Sequence, residues 1–443
     1  MDAVRASMSS KDFEKFIKEN QHICRRPRAS YNIRKIDDNK IVKVTCCCNL
    51  DTSKVTNQLD FKFIDNLADR LANKELASEC HLCWTDEQKG LQSERIRHLL
   101  AFDIESEKNF DAEYEEIVSS NFEVGAKLGN KCNLACRSCG SFDSTFFKKL
   151  HNIPDDTYNQ NMDLDANTID LIKQKILEKI KTHKYTFFHP IGGEALLYDE
   201  LYNIIDWAIE NNLNEQIGLR FTTSFASRIT HEFLTKISKF KTVELSVSID
   251  SVYANYELVR YPVKFDKIEK NLELLFSPEF ENIQLIISPV FSLNNIFYIN
   301  DYLNYVDNLS KVHKRNFIIS NIHLYRPDFL RVEILPDAYK NQLIEILESS
   351  LRIDIVDNPK SAVVNNFIRT TIEHLSNNPQ SKDDDRLFRK FLKFTAYYDK
   401  KTNQDSFLLN SKLFSLLDPE FENIYRTSYN SIDTNKRYKD LVT

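Results

Sequence analysis

The sequence predicts an α/β protein built around a parallel sheet. Between residues 120 and 330, six segments rich in aromatic and β-branched residues alternate with amphipathic segments of helical period. The predicted strands are 122–128, 185–190, 218–223, 243–248, 283–290 and 317–324, and the predicted helices are 169–180, 201–211, 231–238, 265–276 and 297–309. This order implies right-handed βαβ units. Periodicity alone leaves two arrangements, an open sheet and a partial barrel.

Two flanking regions complete a predicted organisation in three domains. Residues 1–119 contain six cysteines, residues 120–330 form the strand–helix core, and residues 331–443 look mainly helical. Within the last region we expect helices at 338–351 and 386–397, with the acidic run 383–385 capping the start of the second. No chemical motif occurs there, so we interpret it as an extension that packs on the core or covers a substrate.

Composition narrows the class of protein. The 443 residues are 42% hydrophobic and 28% charged, which is typical of a globular protein long enough for several cores. The net charge of −6 argues against broad nucleic-acid binding. No apolar run reaches about 18 residues, and the first residues lack the apolar core of a secretory signal. We therefore expect a cytoplasmic protein that does not contact a membrane.

Cysteine usage is the first indication of chemistry. All nine cysteines lie between Cys24 and Cys139. Reduced thiols of an ordinary core would be spread more evenly, and disulfides are not expected without export. An odd, clustered set therefore predicts metal ligation.

Three of these cysteines follow the first predicted core strand at short spacing. Cys132, Cys136 and Cys139 form a Cys-x3-Cys-x2-Cys motif on one loop. Three thiolates suit three corners of a cubane iron–sulfur cluster and leave the fourth iron open. A structural zinc site closes with four protein ligands, so a local set of three does not suit it. The open iron can bind a small molecule.

The triplet, its Cys-Asn-Leu opening and its position after the first strand resemble the signature of the radical S-adenosylmethionine (SAM) superfamily. The resemblance implies a partial (β/α)6 barrel, also called a partial TIM barrel, and a [4Fe–4S] cluster whose open iron binds SAM. It implies reductive cleavage of SAM and abstraction of a substrate hydrogen by the 5′-deoxyadenosyl radical. An electron donor such as flavodoxin or ferredoxin would supply the electron.

A glycine pair supports this resemblance. The chain has only seven glycines, and Gly192-Gly193-Glu194 follows the second strand, as the Gly-Gly-Glu motif of the superfamily does. Glycines let backbone approach a ligand closely, so this segment is expected to receive the methionine ammonium of SAM. The chain departs from the common pattern at Ala195, where Pro is usual, and at Ser138, where an aromatic residue is usual.

Further SAM contacts are expected at the ends of later strands. Alternation places Ser246, Ser248 and Asp250 on one face, where relatives contact the ribose or the methionine carboxylate. Arg260 is expected to pair with that carboxylate, and Asn294 to contact adenosine. Thr222-Thr223-Ser224 stands where a Thr-Asn pair is common.

The remaining cysteines resemble the auxiliary-cluster "twitch" segment of some radical SAM proteins. Cys24 precedes a predicted hairpin with its turn at residues 37–39, a cysteine triplet ends it, and a Cys-x2-Cys pair with Ser93-Glu94-Arg95 follows. The resemblance implies an N-terminal cysteine-rich domain with a second iron–sulfur cluster. Its expected ligands are Cys24, Cys80, Cys83 and one member of the triplet, with Cys46 and Cys47 preferred to Cys48. Four thiolates could equally hold structural zinc. His81 is interpreted as incidental.

The function expected from the resemblance is an enzyme that modifies or oxidises a peptide or protein. Radical modification of a nucleotide or sugar derivative is the second hypothesis, which a cluster of basic pocket residues would favour, and no such cluster is readable in the sequence. A non-catalytic metal-binding interaction protein is the third. No residue is singled out as a general acid or base.

Overall fold

An eight-stranded sheet forms the centre of the protein. The computed structural model describes residues 19–36, 41–47, 49–51, 53, 59–88, 93–100, 110–154, 162–227, 229–315, 318–320, 322–324, 326–351 and 359–434. The strands of the sheet are β1 (Ser30–Ile36), β2 (Ile41–Thr45), β3 (Asn121–Lys127), β5 (Tyr185–Ile191), β6 (Ile217–Thr223), β7 (Thr242–Val247), β9 (Ile283–Ile287) and β11 (Ile318–Ile319). Two short pairs lie outside it, β4 (Ala135–Cys136) with β8 (Arg260–Tyr261) and β10 (Val290–Phe291) with β12 (Ile322–His323).

Helices connect and flank these strands. They are α1 (Arg26–Ala29), α2 (Phe61–Ala72), α3 (His81–Gln88), α4 (Glu94–Leu100), α5 (Phe110–Ser120), α6 (Thr145–Leu150), α7 (Ala166–Ile180), α8 (Asp199–Glu210), α9 (His231–Ile237), α10 (Tyr253–Val259), α11 (Phe265–Leu275), α12 (Ile299–His313), α13 (Asp337–Ser349), α14 (Pro359–Asn377), α15 (Lys382–Thr402), α16 (Ser406–Leu409), α17 (Ser411–Phe414) and α18 (Pro419–Ser431). Short 3₁₀ turns occur at Ser78–Cys80, Ala195–Leu197, Pro278–Phe280, Ile296–Tyr298, Asp328–Leu330 and Val332–Ile334. In the described part of the chain, no helix combines the length and apolar character needed to cross a membrane.

The predicted α/β class with a mostly parallel sheet is confirmed. The order β11-β9-β7-β6-β5-β3 places each parallel strand beside its predecessor in the chain, as in the sheet of a barrel. Strand ends fall within about two residues of their predicted positions, except in the two last segments. There Pro289, which has no N–H for a ladder, follows β9, and the chain resumes as β10 beside β12.

The N-terminal hairpin belongs to this same sheet. β1 pairs antiparallel with β2 and parallel with β3, so the predicted N-terminal domain supplies two strands to the predicted core. The turn predicted at residues 37–39 lies outside the described residues.

The two faces of the sheet differ in chemistry. One face carries the apolar side chains of alternate residues, such as Val124, Phe188 and Leu245, which are fully buried beneath helices. The opposite face, which we call the polar face, carries Glu123 on β3 and Arg220 on β6, together with the other side chains in their register. The polar face is therefore the surface of the sheet that can receive a ligand.

The C-terminal helices pack beside β10, where the rings of Phe291 and Phe367 of α14 stack with their centroids 5.1 Å apart. Helix α15 begins with a capping box in which Ser381 is the N-cap and Asp384 closes it, so the predicted acidic run occupies the first turn. Helices α15 and α18 pack through Phe388 and Phe421, whose ring centroids are 5.0 Å apart. Buried side chains from Tyr31 to Tyr425 form one continuous core.

Candidate metal centres and cofactor site

The Cys132–Cys139 loop lies at the carboxyl end of β3, where α/β folds place their sites. Its middle is held by β4, whose Cys136 pairs with Arg260 of β8, and by the N–H of Arg137, which donates to the carbonyl of Val259 at 2.9 Å. The N–H of Cys139 donates to the carbonyl of Cys136 at 3.0 Å. The loop is thus fixed at both the second and the third cysteine.

The three predicted cluster thiols lie near one another on this loop. Cys136 is buried, and Cys132 and Cys139 are half-buried. Burial raises the pKa of all three thiols, to about 12 for Cys139. Negative charge nearby, from another of the three thiols or from Glu194, raises each pKa further. Metal ions bind thiolates, so loading of this site releases protons. The donor set is the one that a cluster with an open iron requires.

Gly193 allows the end of β5 to dock on this loop. Its φ is +52°, and a Cβ built there would lie 2.1 Å from the carbonyl oxygen of Lys131. The next N–H, that of Glu194, donates to the same carbonyl at 2.8 Å. Gly192 has φ +92°, and its added Cβ would lie 2.5 Å from Cγ of Lys127. Only glycine fits at these two predicted positions.

Glu194 is buried and engaged by the end of β6. Its Oε1 accepts from the hydroxyl of Thr223 at 2.7 Å, and its Oε2 accepts from the N–H of Ser224 at 2.8 Å. In the sequence, residues 222–224 depart from the Thr-Asn pair that is common at this place. Two of these residues position Glu194, a role that no local sequence feature indicates.

Asp250 and Arg260, both predicted SAM contacts, bind each other. Nε of Arg260 donates to Oδ2 of Asp250 at 2.8 Å, and Oδ1 accepts from the N–H of Val290 at 3.0 Å. Nη1 of Arg260 lies 3.9 Å from Sγ of Cys136. The pair thus places a half-buried guanidinium beside a predicted cluster ligand.

Among the buried polar side chains without a hydrogen-bond partner in the described residues are the amide of Asn294, of which both Oδ1 and Nδ2 are orphaned, and the hydroxyl of Tyr256. The Tyr256 hydroxyl feels the charges of Cys136 and Glu194, and burial raises its pKa. Buried polar groups are normally paired, so these atoms fit a ligand that completes the site. The sequence predicts a ligand contact for Asn294 but not for Tyr256.

Ser246 lies on the polar face of β7, and Ser248 directly follows the strand. Ser246 shares a hydrogen bond of 2.7 Å with Ser288, and the N–H of Ser248 donates to the carbonyl of Thr223 at 2.9 Å. Ser248 therefore lies beside the residues that hold Glu194.

A second pocket gathers five cysteines, Cys24, Cys46, Cys47, Cys80 and Cys83. Cys48 lies outside the described residues. His81 does not line the pocket, and its ring contacts the carbonyl of Ser78 at 3.1 Å. The five thiols include all those expected from the sequence to hold an auxiliary iron–sulfur cluster or zinc, except Cys48.

The pKa values of the neighbouring thiols Cys46 and Cys47 shift in opposite directions. A hydrogen bond between the two thiols raises the pKa of Cys46 and lowers that of Cys47, and the guanidinium of Arg26 lowers the latter further. Nε of Arg26 also donates to the carbonyl of Cys46 at 3.0 Å. Burial raises the pKa of Cys80 to about 12 and of Cys83 to about 11.

Arg95 links two of the segments that line this pocket. Its Nη2 pairs with Glu87 of α3 at 2.6 Å, and its Nη1 donates to the carbonyl of Ile23 at 3.0 Å. The segment that precedes Cys24 is thereby tied to the helix that carries Cys83.

The two cysteine sites lie at opposite ends of the sheet. Cys24 precedes β1, and Cys46 and Cys47 follow antiparallel β2, so the pocket lies at the amino end of the parallel strands. The Cys132–Cys139 loop lies at the carboxyl end, separated by the length of β3, about 20 Å at the usual rise of a strand. In the described part of the chain, no three Cys, His, Asp or Glu side chains stand in position to hold a single metal ion.

Comparison with known proteins gives a structural likeness only. No family model matches the chain, and no curated protein matches it. Two crystal structures of Streptococcus suis SuiB are similar in part. The one bound to S-adenosylmethionine has a TM-score of 0.36 and 14% identity over 72% of this chain and 69% of that chain. The second has a TM-score of 0.35 and 13% identity over 72% and 68%.

Proposed function

We infer that this chain is a radical SAM enzyme. The observation that carries the inference is the joint placement of Cys132, Cys136 and Cys139 with the Gly193–Glu194 backbone, which docks on the same loop. Three thiols at the carboxyl end of a parallel sheet fit a [4Fe–4S] cluster with an open iron. Bound there and reduced, a cluster of this kind would supply the electron for reductive cleavage of SAM, the source of a 5′-deoxyadenosyl radical that could abstract a substrate hydrogen.

The residues of this chain would bind and orient SAM rather than perform the bond cleavage. Glu194 would receive the methionine ammonium while Thr223 and Ser224 hold its carboxylate in place. Arg260, kept beside the loop by Asp250, would receive the methionine carboxylate. The orphaned amide of Asn294 and hydroxyl of Tyr256 would bind polar atoms of the nucleoside.

The cysteine pocket at the other end of the sheet supports an auxiliary iron–sulfur cluster held by Cys24, Cys80, Cys83 and either Cys46 or Cys47. Its place at the far end of the polar face supports a role in accepting an electron from a substrate bound between the two sites. Structural zinc remains the alternative for the same thiols.

We propose two classes of substrate for this enzyme. A peptide or protein held between the N-terminal segment and the mouth of the sheet is the expectation from the sequence. A small anionic molecule is supported by the basic side chains of Lys43, Arg34 and Lys127, which strand pairing places side by side on the polar face. These side chains come from three separate strands, which is why no basic cluster is readable in the sequence.

The test is anaerobic reconstitution, with iron and sulfide counted in the wild type and in a C132A/C136A/C139A variant. We expect about eight irons in the wild type and about four in the variant, because each cubane holds four. About four irons with one zinc in the wild type would make the N-terminal site structural. No iron bound through these three cysteines would refute the proposed function.

A further inference from the structure

Three cationic side chains stand in one row across neighbouring strands of the polar face. Arg34 of β1 pairs in register with Lys43 of β2, and because Ile33 pairs with Ala126, the next residue on β3 beside Arg34 is Lys127. Register thus places Lys43, Arg34 and Lys127 on the same face. Like charges directly opposite one another on a sheet repel, so an anion bound beside them would stabilise the row.

Arg34 has hydrogen-bonding capacity that the described residues do not use. Its Nε is buried and finds no partner among them. A buried guanidinium N–H without an acceptor is costly, and an anion bound there would satisfy it.

The carboxylates of the polar face are mostly engaged elsewhere. Glu123 and Glu244 bind Arg220, at 2.9 and 2.6 Å, nearer the amino end of the sheet. Asp143 pairs with Lys127 at 2.6 Å, but about half of its side chain is exposed to solvent. Lys127 itself is buried, and the nearby charge of Arg34 contributes to a lowered pKa, after burial.

The row lies beside the proposed SAM site. A Cβ on Gly192 would touch Cγ of Lys127, and the ammonium of Lys127 feels the charge of Cys139. Below the row, Gly125 has no side chain, and an added Cβ would lie 3.3 Å from Oδ1 of Asn32. The row therefore adjoins the loop that carries the proposed cluster ligands.

We propose that Arg34 and Lys127, with Lys43 beside them, bind a phosphate monoester group of a small-molecule substrate. The guanidinium of Arg34 presents a planar fork and Lys127 a point charge, a combination suited to an oxyanion. A phosphate has three oxygens and nearly two negative charges, enough to contact cations from neighbouring strands, whereas a single carboxylate has two oxygens and one charge. The inference rests on the proposed function only in naming the bound molecule as substrate.

The test is calorimetric titration of the anaerobically reconstituted protein with inorganic phosphate, with acetate at equal ionic strength as the carboxylate probe. We expect phosphate to bind the wild type more tightly than acetate does. R34Q should weaken phosphate binding at least tenfold, R34K less, and R386Q, an exposed arginine of α15, not at all. R34K keeps the charge, so it controls for a fold disturbed by R34Q.

Several outcomes would overturn the proposal. They are no phosphate binding, equal affinity in the wild type and both Arg34 variants, equal binding of acetate, and displacement of phosphate by SAM, which would assign the row to SAM itself. Phosphate binding and SAM cleavage are measured separately, so failure of this inference can be told from failure of the proposed function.

Discussion

Replacing Asp399 with asparagine should destabilise the protein and loosen the Cys132–Cys139 loop. Asp399 lies on α15, far along the chain from the loop, yet its carboxylate binds Nη2 of Arg137. Both side chains are completely buried. Arg137 stands between the second and third cysteine, and its Nε donates to the carbonyl of Leu258 at 3.0 Å.

The size of the effect follows from the contacts of Asp399. Its carboxylate also accepts from the N–H of Ser406 at 2.8 Å, from the Ser406 hydroxyl at 3.0 Å and from the hydroxyl of Tyr425 at 2.6 Å. An asparagine would turn an NH₂ toward one of these donors and would leave Arg137 as an uncompensated buried charge. Breaking such a pair from one side typically costs about 3–5 kcal/mol.

The assay is urea unfolding of wild-type and D399N proteins, with iron retention measured in parallel. D383N is the matched control, because Asp383 pairs with Arg386 on the exposed side of the same helix. A surface pair of this kind contributes about 0–1 kcal/mol, so D383N should change the free energy of unfolding by less than about 1 kcal/mol. D399N should also lose iron faster than the control.

Equal losses in D399N and D383N would refute this reasoning. A second comparison sharpens it. The double variant R137M/D399N removes both charges, so no uncompensated buried charge is left, and the asparagine Oδ1 can still accept from Ser406 or Tyr425. It should therefore be more stable than D399N, and a double variant less stable than D399N would contradict the view that the uncompensated charge is the cause.

Three further predictions concern single sites. G193A should unfold more easily and fail to assemble the cluster of the Cys132–Cys139 loop, because residue 193 has a positive φ and an added Cβ would clash with Lys131. G140A is the control: an added Cβ there meets no atom within 4 Å, so this variant should resemble the wild type in iron content. Equal iron in both variants would contradict the prediction. Burial lowers the pKa of His151 to about 3, so the unfolded chain binds the proton first, and the free energy of unfolding should fall as pH drops from about 6.5 toward 3, by up to about 1.4 kcal/mol per pH unit. H151Q should have a shallower slope in pH-dependent urea unfolding, and an unchanged slope would contradict the assignment. C80S should remove the auxiliary iron, while only one of C46S and C47S should do so, and iron counts unchanged in all three would contradict the auxiliary cluster.

Much of the fold could be predicted because its information is local. Aromatic and β-branched runs marked the parallel strands, and the period of Ile169, Ile172 and Ile176 marked the buried side of α7. Strand ends were less predictable where pairing depends on a single residue. Pro289 ended the ladder of β9, although the segment as a whole had the composition of one strand.

The candidate site was predictable where one motif carries several residues. The cysteine triplet and the Gly-Gly-Glu segment lie next to each other in the structure, as their positions after the first and second strands predict. The partners of these residues come from elsewhere in the chain. Thr223 and Ser224 hold Glu194, and Asp399 holds Arg137, but neither pairing leaves a pattern in the sequence.

The basic row illustrates the same limit. Lys43 and Arg34 are nine residues apart and Lys127 is far downstream, so nothing in their spacing groups them. They become neighbours only because the N-terminal hairpin joins the sheet beside β3 in one register. A shift of the register by one residue would turn Arg34 to the opposite face. Such a surface can be found only once strand pairing is known.

The central claim is tested most directly by measuring 5′-deoxyadenosine after SAM and dithionite are added to the anaerobically reconstituted protein. The wild type should produce 5′-deoxyadenosine, and the C132A/C136A/C139A variant should produce none while it keeps the iron of the auxiliary site. A wild-type protein with a reducible cluster that leaves SAM intact, or a triple variant that still cleaves it, would contradict the assignment of radical chemistry to the Cys132–Cys139 loop.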